Sequence, residues 1–325
     1  MRPYILQGHE RPLNQVKFNY EGDLFITCAK DGRVNLWWTE NGQRAGTFNG
    51  HNGVVWTTDI TSDSSKVFTA GGDSSVRLWN FETGEELFKL ATHAPCRACA
   101  FSPGDGLAAF SSDAFLGSEC SVRVLKIAPD GEEQTEDVVQ TLSGISASRI
   151  SRVLWSDGDR TLITASDDGE LRRWDVESGK CVLSKKLHKA QIQDLQASAD
   201  GSHLITASTD QTSKLVDTAT LQVLKEYTST VPINSAAISP RFDHVLIGGG
   251  QDASKVTTTS AKVGRFEARF FHKIYAEEFG QVKGHFGPIN AVAFSPDGTS
   301  FVSGGEEGYV RLHHFDADYF TTKFF

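Results

Sequence analysis

Little in this 325-residue sequence indicates export or membrane insertion. Its five cysteines are odd in number and scattered among strand-like runs, and no Asn-x-Ser/Thr sequon occurs. The first residues, MRPYILQGHERP, lack the apolar core of a signal peptide, and no run approaches the roughly 18 apolar residues of a membrane span. We therefore expect a cytoplasmic chain with reduced thiols and no contact with a membrane.

The signatures of catalysis are also missing. No nucleophile elbow, phosphate-binding loop or cluster of metal ligands appears, which favours a chain that is not an enzyme and binds no metal or cofactor. Cys96 and Cys99 form a C-x-x-C, but they lie in an alternating run, where positions i and i+3 face opposite sides of a strand. Buried thiols are therefore expected there. The net charge of −9 disfavours sequence-independent binding to nucleic-acid phosphates.

What the sequence does contain is a repeat. Two sets of four residues share the same spacing, with 22 residues from His to Asp and six from Asp to Trp: His9, Thr27, Asp31 and Trp37, then His51, Thr69, Asp73 and Trp79. Three runs of β-formers accompany the second set: Val54 to Ile60, Lys66 to Ala70 and Ser75 to Trp79. Turns rich in Asp, Ser and Gly separate them.

These spacings predict a hydrogen-bond chain at one end of a small sheet. The Asp carboxylate accepts from the imidazole, the imidazole bonds to the Thr hydroxyl, and the Trp indole closes the chain. Each bond would contribute roughly 0.5–1.5 kcal/mol to stability. The pattern resembles the structural tetrad of the WD-repeat family, whose four-stranded blades stack into a propeller. A catalytic role for His51, Thr69 and Asp73 is disfavoured, because the set recurs.

The same spacing recurs along the rest of the chain, but several units lack one or more members of the set. Units begin near 9, 51, 93, 146, 188, 230 and 285, with extra residues after the third and sixth. The fourth unit has Ser146 in place of the His, the fifth has Val216 in place of the Trp, and the sixth keeps only Asp252; the third and sixth are the least regular. We therefore predict an all-β fold, a seven-bladed β-propeller formed by one domain over residues 1–325.

Closure of the ring is also predicted. The last unit supplies only three strands, Ile289–Phe294, Ser300–Ser303 and Val310–His314, before a short aromatic tail. Pro3–Gln7 is a strand with no other partner, so pairing it with the last unit would join the two ends and remove an exposed edge. Pro3 is compatible with the start of an edge strand, because it has no N–H to donate.

The two insertions differ in character. Residues 127–138 hold five carboxylates and predict a solvated acidic loop. Around the second insertion, Phe266, Ala268, Phe270 and Ile274 alternate with charged residues, which predicts a half-buried outer strand. The alternative is a patch that contacts RNA or a partner through four basic residues interleaved with aromatics, namely Lys262, Arg265, Arg269 and Lys273.

Three segments resemble the i-subunit family of eukaryotic translation initiation factor 3. They are the opening LQGHERPLNQVKFNYEGDLF, the late GGEEGYVRLHHFD, and the stretch from GGGQDASKV through GHFGPINAVAFSPDG that includes the second insertion. The repeats alone are shared by many scaffolds, whereas the stretch from Gly248 to Gly287 is specific. The resemblance covers essentially the whole chain.

The resemblance implies a non-catalytic scaffold that binds the b and g subunits of the factor and, through the complex, the 40S ribosomal subunit. It implies a role in assembly of the 43S preinitiation complex and in mRNA recruitment. It also implies that Asp200 and Asp217 contact the C-terminal helix of the b subunit beside the fifth and sixth blades. The residues alone leave two alternatives open: an enzyme, and a generic WD-repeat adaptor such as a substrate receptor of a ubiquitin ligase.

Overall fold

Short runs of β-branched and aromatic residues, each ended by a turn, form the strands of this chain. In Lys66–Gly71, for example, Val67 and Phe68 are fully buried on opposite faces, and Gly72 begins the next turn. A computed structural model describes residues 3–145, 149–250 and 266–322. Within these ranges, 28 strands form seven antiparallel four-stranded sheets.

The first strand, β1 (Pro3–Gln7), precedes the sheets in sequence. The first sheet contains β2 (Leu13–Phe18), β3 (Leu24–Ala29), β4 (Val34–Trp38) and β5 (Arg44–Phe48). The second contains β6 (Val55–Ile60), β7 (Lys66–Gly71), β8 (Ser75–Asn80) and β9 (Glu86–Ala91). The third contains β10 (Cys99–Phe101), β11 (Leu107–Ser112), β12 (Cys120–Lys126) and β13 (Val138–Ile145).

The fourth sheet contains β14 (Ile150–Ser156), β15 (Thr161–Ser166), β16 (Glu170–Asp175) and β17 (Lys180–Lys186). The fifth contains β18 (Ile192–Ala197), β19 (His203–Ser208), β20 (Thr212–Asp217) and β21 (Val223–Thr228). The sixth contains β22 (Ile233–Ile238), β23 (His244–Gly249), β24 (Glu267–His272) and β25 (Glu278–Lys283). The seventh contains β26 (Ile289–Phe294), β27 (Ser300–Gly305) and β28 (Tyr309–His314).

The sheets are arranged in a closed ring. The first strands contact one another in the order β2, β6, β10, β14, β18, β22 and β26, and β26 returns to β2. Apolar side chains fill the space between neighbouring sheets: Ile26 and Phe48 of the first sheet pack with Val67 and Trp79 of the second. The predicted seven-bladed β-propeller is thus confirmed.

The ring has an upper end and a lower end, which carry different loops. The upper end carries the loops before each first strand and those between the second and third strands. The lower end carries the turns that join the first strand to the second and the third strand to the fourth.

The predicted closing strand is confirmed. β1 pairs antiparallel with β28, with Pro3 opposite His313 and Gln7 opposite Tyr309. Leu6 is buried and lies against Gly42, where a Cβ atom would stand 2.5 Å from its methyl group. The N-terminal strand therefore completes the seventh sheet and also contacts the first.

The prediction of an outer strand near the second insertion was wrong in position. Glu267–His272 forms β24, the third strand of the sixth sheet, and the outer strand is β25. Ala268 and Phe270 are buried as the alternation requires, but Ile274 is 48% exposed because it lies in the turn after β24. A third strand can alternate in the same way: the charged Arg269 of β24 is only 13% exposed and lies 4.0 Å from Glu278 of the neighbouring outer strand.

The spacing between successive sheets is one residue shorter than predicted at two places in the ring. In six of the sheets a backbone N–H donates to the carbonyl five positions later at the first turn: Asn19 to Leu24, Thr61 to Lys66, Ser102 to Leu107, Ser198 to His203, Ser239 to His244 and Ser295 to Ser300. The third and sixth sheets follow their predecessors by 41 residues rather than 42. Thr92 and Ser229, rather than His93 and Thr230, therefore hold the position that His51 holds in the second sheet. The His93 side chain is exposed.

After β28 the chain forms one short helix, α1 (Ala317–Thr321). The Tyr319 ring stacks on Phe315 at 3.8 Å, and its hydroxyl lies 2.7 Å from Nδ1 of His244 in the sixth sheet. This aromatic segment spans the sixth and seventh sheets at the lower end. Within the described residues, no helix is long and apolar enough to cross a membrane.

Deletion of residues 1–7 should destabilise the ring. It removes the buried Leu6 side chain, whose burial contributes about 1.5–3 kcal/mol, and it exposes the β28 edge. We expect the melting temperature to fall by about 5 °C or more and self-association to appear in sedimentation velocity. Deletion of residues 1 and 2 alone is the control. A truncated chain that stays monomeric with an unchanged melting temperature would contradict the closure.

Candidate interaction surface and the hydrogen-bond chains behind it

A chain of hydrogen bonds joins three segments of the second sheet at its upper end. The Trp79 indole donates to Oγ1 of Thr69 at 2.9 Å, and the Thr69 hydroxyl lies 2.8 Å from Nε2 of His51. His51 Nδ1 lies 3.1 Å from both carboxylate oxygens of Asp73. Because a carboxylate only accepts, Nδ1 carries the proton, so Nε2 accepts from the Thr69 hydroxyl.

The first sheet repeats this geometry. Trp37 donates to Thr27 at 2.9 Å, Thr27 lies 2.8 Å from Nε2 of His9, and Nδ1 of His9 lies 3.1 Å from Asp31. His9, Thr27 and Trp37 are buried. All eight tetrad residues are thus placed in two hydrogen-bonded sets.

The electrostatics of the sets keep the aspartates ionised. Burial opposes ionisation of Asp73, but the hydrogen bonds from His51 and from the Asn52 N–H outweigh it and hold the pKa of Asp73 well below its ordinary value. The pKa of Asp210 in the fifth sheet falls to about 2 for related reasons: burial opposes ionisation, and hydrogen bonds from Thr212 and the Lys189 N–H favour it. These charges stabilise the turns.

Other sheets keep part of the set. In the fifth, His188 lies 3.0 Å from Asp210 and 2.7 Å from Thr206, and the buried Val216 stands where Trp would be. In the seventh, His285 contacts Glu307 at 2.5 Å and Ser303 at 2.8 Å. A His–hydroxyl–carboxylate set that recurs in four sheets stabilises each sheet in the same way, which disfavours a catalytic triad.

Sequence reasoning missed the replacement in the fourth sheet. The Arg172 guanidinium lies 2.6 Å from Asp168 and 2.7 Å from Ser166, so an arginine supplies the donor that a leading His supplies elsewhere. Trp174 still donates to Thr164, at 3.1 Å. The second sheet has an arginine at the same spacing, since Arg77 lies 3.5 Å from Asp73 although His51 is present, so the sequence alone does not mark the replacement. Ser146 and Asp252, the predicted members in the fourth and sixth units, lie outside the described residues.

The third sheet uses a different contact at the same end. Arg97 Nε lies 2.6 Å from Asp113, and its guanidinium stacks over Trp56 of the second sheet at 4.2 Å. This cation–π contact joins the second sheet to the third, which lacks the His–Thr–Asp set. Burial raises the pKa of the Cys96 thiol to about 12, so this cysteine is protonated at neutral pH.

The candidate partner-binding aspartates lie together at the lower end of the fifth sheet. Asp200 is in the turn before β19, and Asp217 ends β20, directly opposite His203 at the start of β19. Hydrogen bonds from Ser198 and Ser202 hold the pKa of Asp200 far below its usual range. The hydroxyl and N–H of Thr220 lower the pKa of Asp217. Both carboxylates are ionised at neutral pH.

Exposed apolar side chains lie on the same sheet and the next one. On β21, Val223 is 42% exposed and Leu224 45%. In the turn after β24, Ile274 is 48% exposed and Tyr275 61%. The hydroxyl of Tyr227 on β21 donates to the Lys273 carbonyl at 2.7 Å, so the two sheets meet here. Ile274 and Tyr275 were not predicted as surface residues.

The predicted basic patch is only partly described. Lys262 and Arg265 lie outside the described residues. Arg269 lies 4.0 Å from Glu278 with its side chain 13% exposed, and Lys273 lies 2.8 Å from Asp243. The two described members therefore contact carboxylates of the sixth sheet. Within the described parts of the chain, no group of three His, Cys, Asp or Glu side chains could hold a metal ion.

Substitution Asp73→Ala should destabilise the fold. It leaves the buried His51 N–H without its acceptor, so the free energy of unfolding should fall by roughly 1–3 kcal/mol in urea titration at pH 7. The folded-state pKa of Asp73 lies below the unfolded value near 4, so the difference from the original chain should shrink below about pH 4. Asp130→Ala, at an exposed carboxylate, is the control. Equal loss in both variants would refute the role of the set.

His313→Phe should weaken the pH dependence of stability. Burial lowers the pKa of His313 to about 3, while the unfolded imidazole titrates near 6.5. As the pH falls, the unfolded state therefore binds a proton first and the folded state loses stability. Between pH 7.5 and 5 the original chain should lose about 2 kcal/mol more than the variant. Parallel pH profiles from urea titrations would contradict this assignment.

Comparisons with known proteins agree with the geometry. The EIF3I family model matches residues 1–324. A protein from Bombyx mori named eukaryotic translation initiation factor 3 subunit I is 48% identical over 332 aligned residues, covering all of this chain and 98% of the relative. Proteins of the same name from Xenopus laevis and Homo sapiens are 46% and 45% identical over 324 aligned residues, covering all of this chain and 99% of each relative. The chain belongs to the EIF3I family, the subunit I family of eukaryotic translation initiation factor 3.

Proposed function

We propose that this chain is a non-catalytic, cytoplasmic scaffold subunit of translation initiation factor 3. In this role it binds the b and g subunits and, through the complex, supports 43S preinitiation complex assembly and mRNA recruitment on the 40S ribosomal subunit. Family membership supports the place of the chain in the factor. The recurrence of the His–hydroxyl–carboxylate sets supports a structural role for the residues that most resemble catalytic groups.

One observation carries the assignment of a surface to the b subunit. Asp200 and Asp217 are both ionised and both at the lower end of the fifth sheet, one on each side of His203. Two carboxylates held by neighbouring hydroxyls and N–H groups require little reordering when a partner arrives. They can pair with Arg or Lys of a docked amphipathic helix, where exposed charges of this kind fix orientation and association rate more than affinity.

The apolar part of such a helix also has a matching surface. Val223 and Leu224 are exposed on the fifth sheet and Ile274 and Tyr275 on the sixth, and the Tyr227 hydroxyl joins these two sheets at the Lys273 carbonyl. An amphipathic helix offers apolar side chains at i, i+3, i+4 and i+7, a stripe that fits a shallow groove between two sheets. We therefore place the helix across the fifth and sixth sheets at the lower end.

Direct binding to RNA is less well supported. Arg269 and Lys273 already contact Glu278 and Asp243, which favours a role in holding the sixth sheet together. A phosphate backbone would have to displace these carboxylates before it could pair with either side chain. Contact with the small ribosomal subunit is therefore proposed to pass through other subunits of the complex.

Charge reversal at the two aspartates tests the surface. Asp200→Lys combined with Asp217→Lys should weaken binding of the labelled C-terminal segment of the b subunit by about tenfold or more, because it replaces attraction with repulsion. Fluorescence anisotropy at low and physiological salt measures the change, and the affinity of the original chain should fall with salt.

The matched control reverses two charges in the acidic loop between β12 and β13, Glu136→Lys with Asp137→Lys. It has the same change in net charge and should bind the segment like the original chain. If the loop variant loses binding and the Asp200 and Asp217 variant does not, the helix docks on the third sheet instead.

A further inference from the structure

The central channel of the ring opens at its lower end into a cavity of about 470 Å³ with a mixed polar and apolar lining. We name this opening the lower mouth. It is lined by the ends of the first strands of six sheets and by the turns that follow them, and its aromatic lining residues are Phe18, Tyr20, Phe101, Trp155 and Phe294. The volume lies within the range of ligand pockets in proteins, which is roughly 300–1,000 Å³.

The charges inside the lower mouth are neutralised by one another. Lys17 contacts Asp59, which also accepts from the Phe101 N–H at 2.8 Å. At the inner end, Arg152 lies 2.9 Å from Asp194 and reaches toward the Asn14 carbonyl. The interior therefore carries little net charge. Its surface is part polar and part apolar, because Phe18, Phe101 and Trp155 are only 7–8% exposed and pack mainly between sheets, whereas Tyr20 is exposed.

The loops of the whole lower end are strongly acidic. The thirteen turns and loops that join first to second and third to fourth strands carry nineteen Asp and Glu but only three Lys and Arg. Their imbalance of −16 exceeds the net charge of the whole chain, −9, so the remainder of the chain is net positive. The negative charge of this protein is thus concentrated at one end of the ring.

We propose that the lower mouth binds a polypeptide segment whose apolar side chains enter the cavity and whose flanking Lys or Arg residues face the acidic loops. Apolar anchors gain from burial against Tyr20 and the apolar part of the lining, and the loop charges raise the local concentration of a basic segment. An RNA is disfavoured, because its phosphates would approach a surface of the same sign. The cavity itself is lined by Tyr20, Trp155 and Phe294 of other sheets, whereas the surface proposed for the b-subunit helix lies on the fifth and sixth sheets.

Tyr20 is the exposed anchor on the protein side. It lies in the first turn of the first sheet, it is 77% exposed, and its neighbour Glu21 is also exposed. Neither side chain belongs to a hydrogen-bonded set of the upper end, so substitution of both leaves those sets intact. Phe286 and Glu119 are a matched exposed pair at the upper end.

Three fluorescein-labelled peptides test the chemistry with the full chain. The first is Gly-Arg-Arg-Phe-Leu-Phe-Arg-Arg-Gly, the second has serines in place of the three apolar residues, and the third has glutamates in place of the four arginines. We expect saturable anisotropy only with the first, and dissociation constants at least tenfold weaker for the other two. A serine peptide that binds equally well, or a first peptide that does not saturate by about 1 mM, overturns the proposal.

Paired variants then locate the site. Tyr20→Ser with Glu21→Lys should weaken binding of the first peptide about tenfold, while Phe286→Ser with Glu119→Lys should stay within about twofold of the original chain. Val223→Ser with Ile274→Ser, at two exposed residues of the surface proposed for the b-subunit helix, should leave this peptide bound, which separates this site from that of the helix. Equal binding by the two matched variants would refute the location, and tighter binding of a 12-nucleotide oligouridine than of the peptide would refute the chemistry.

Discussion

The imidazole that bridges a turn aspartate and a strand hydroxyl is the interaction on which the rest of this structure depends. In the first, second, fifth and seventh sheets it links the loop before the first strand to the second strand and to the next turn. The link fixes the upper end of each sheet, where the chain passes from one sheet to the next. Each sheet packs its apolar faces against two neighbours, so the orientation of one sheet constrains the whole ring. None of these four sets includes a residue of a lower turn, so the lower turns can present binding groups.

Much of this architecture could be predicted from the sequence, because its causes are local. The interval from His51 to Asp73 and the six residues to Trp79 encode one sheet, and the unpaired strand at Pro3–Gln7 encodes closure. The position of Glu267–His272 could not be predicted from alternation, since a third strand and an outer strand both alternate. The sequence also did not reveal that the repeat is one residue shorter at Thr92 and Ser229, because His93 and Thr230, one position later, fit the pattern as well.

The candidate surfaces were harder to predict, because they depend on which loops share one end. Asp200 and Asp217 are 17 residues apart, and only the pairing of His203 with Asp217 shows that they flank one strand end. The charge of the lower loops is likewise spread over the whole sequence and becomes visible only when the strands assign each carboxylate to an end. Within a family of initiation-factor subunits, such a polarised ring can hold basic partner segments at one end while its upper end stabilises the fold.

The central claim is that partners dock on the lower end while the hydrogen-bonded sets hold the upper end. Hydrogen–deuterium exchange of this chain, alone and assembled with the other subunits of the factor, tests it most directly. We predict new protection in the lower turns of the fifth and sixth sheets, including 217–222 and 273–277. Amides around His51, Thr69 and Asp73 should be slow to exchange in both states. Protection that appears only in the upper loops, with the lower turns unchanged, would contradict the account.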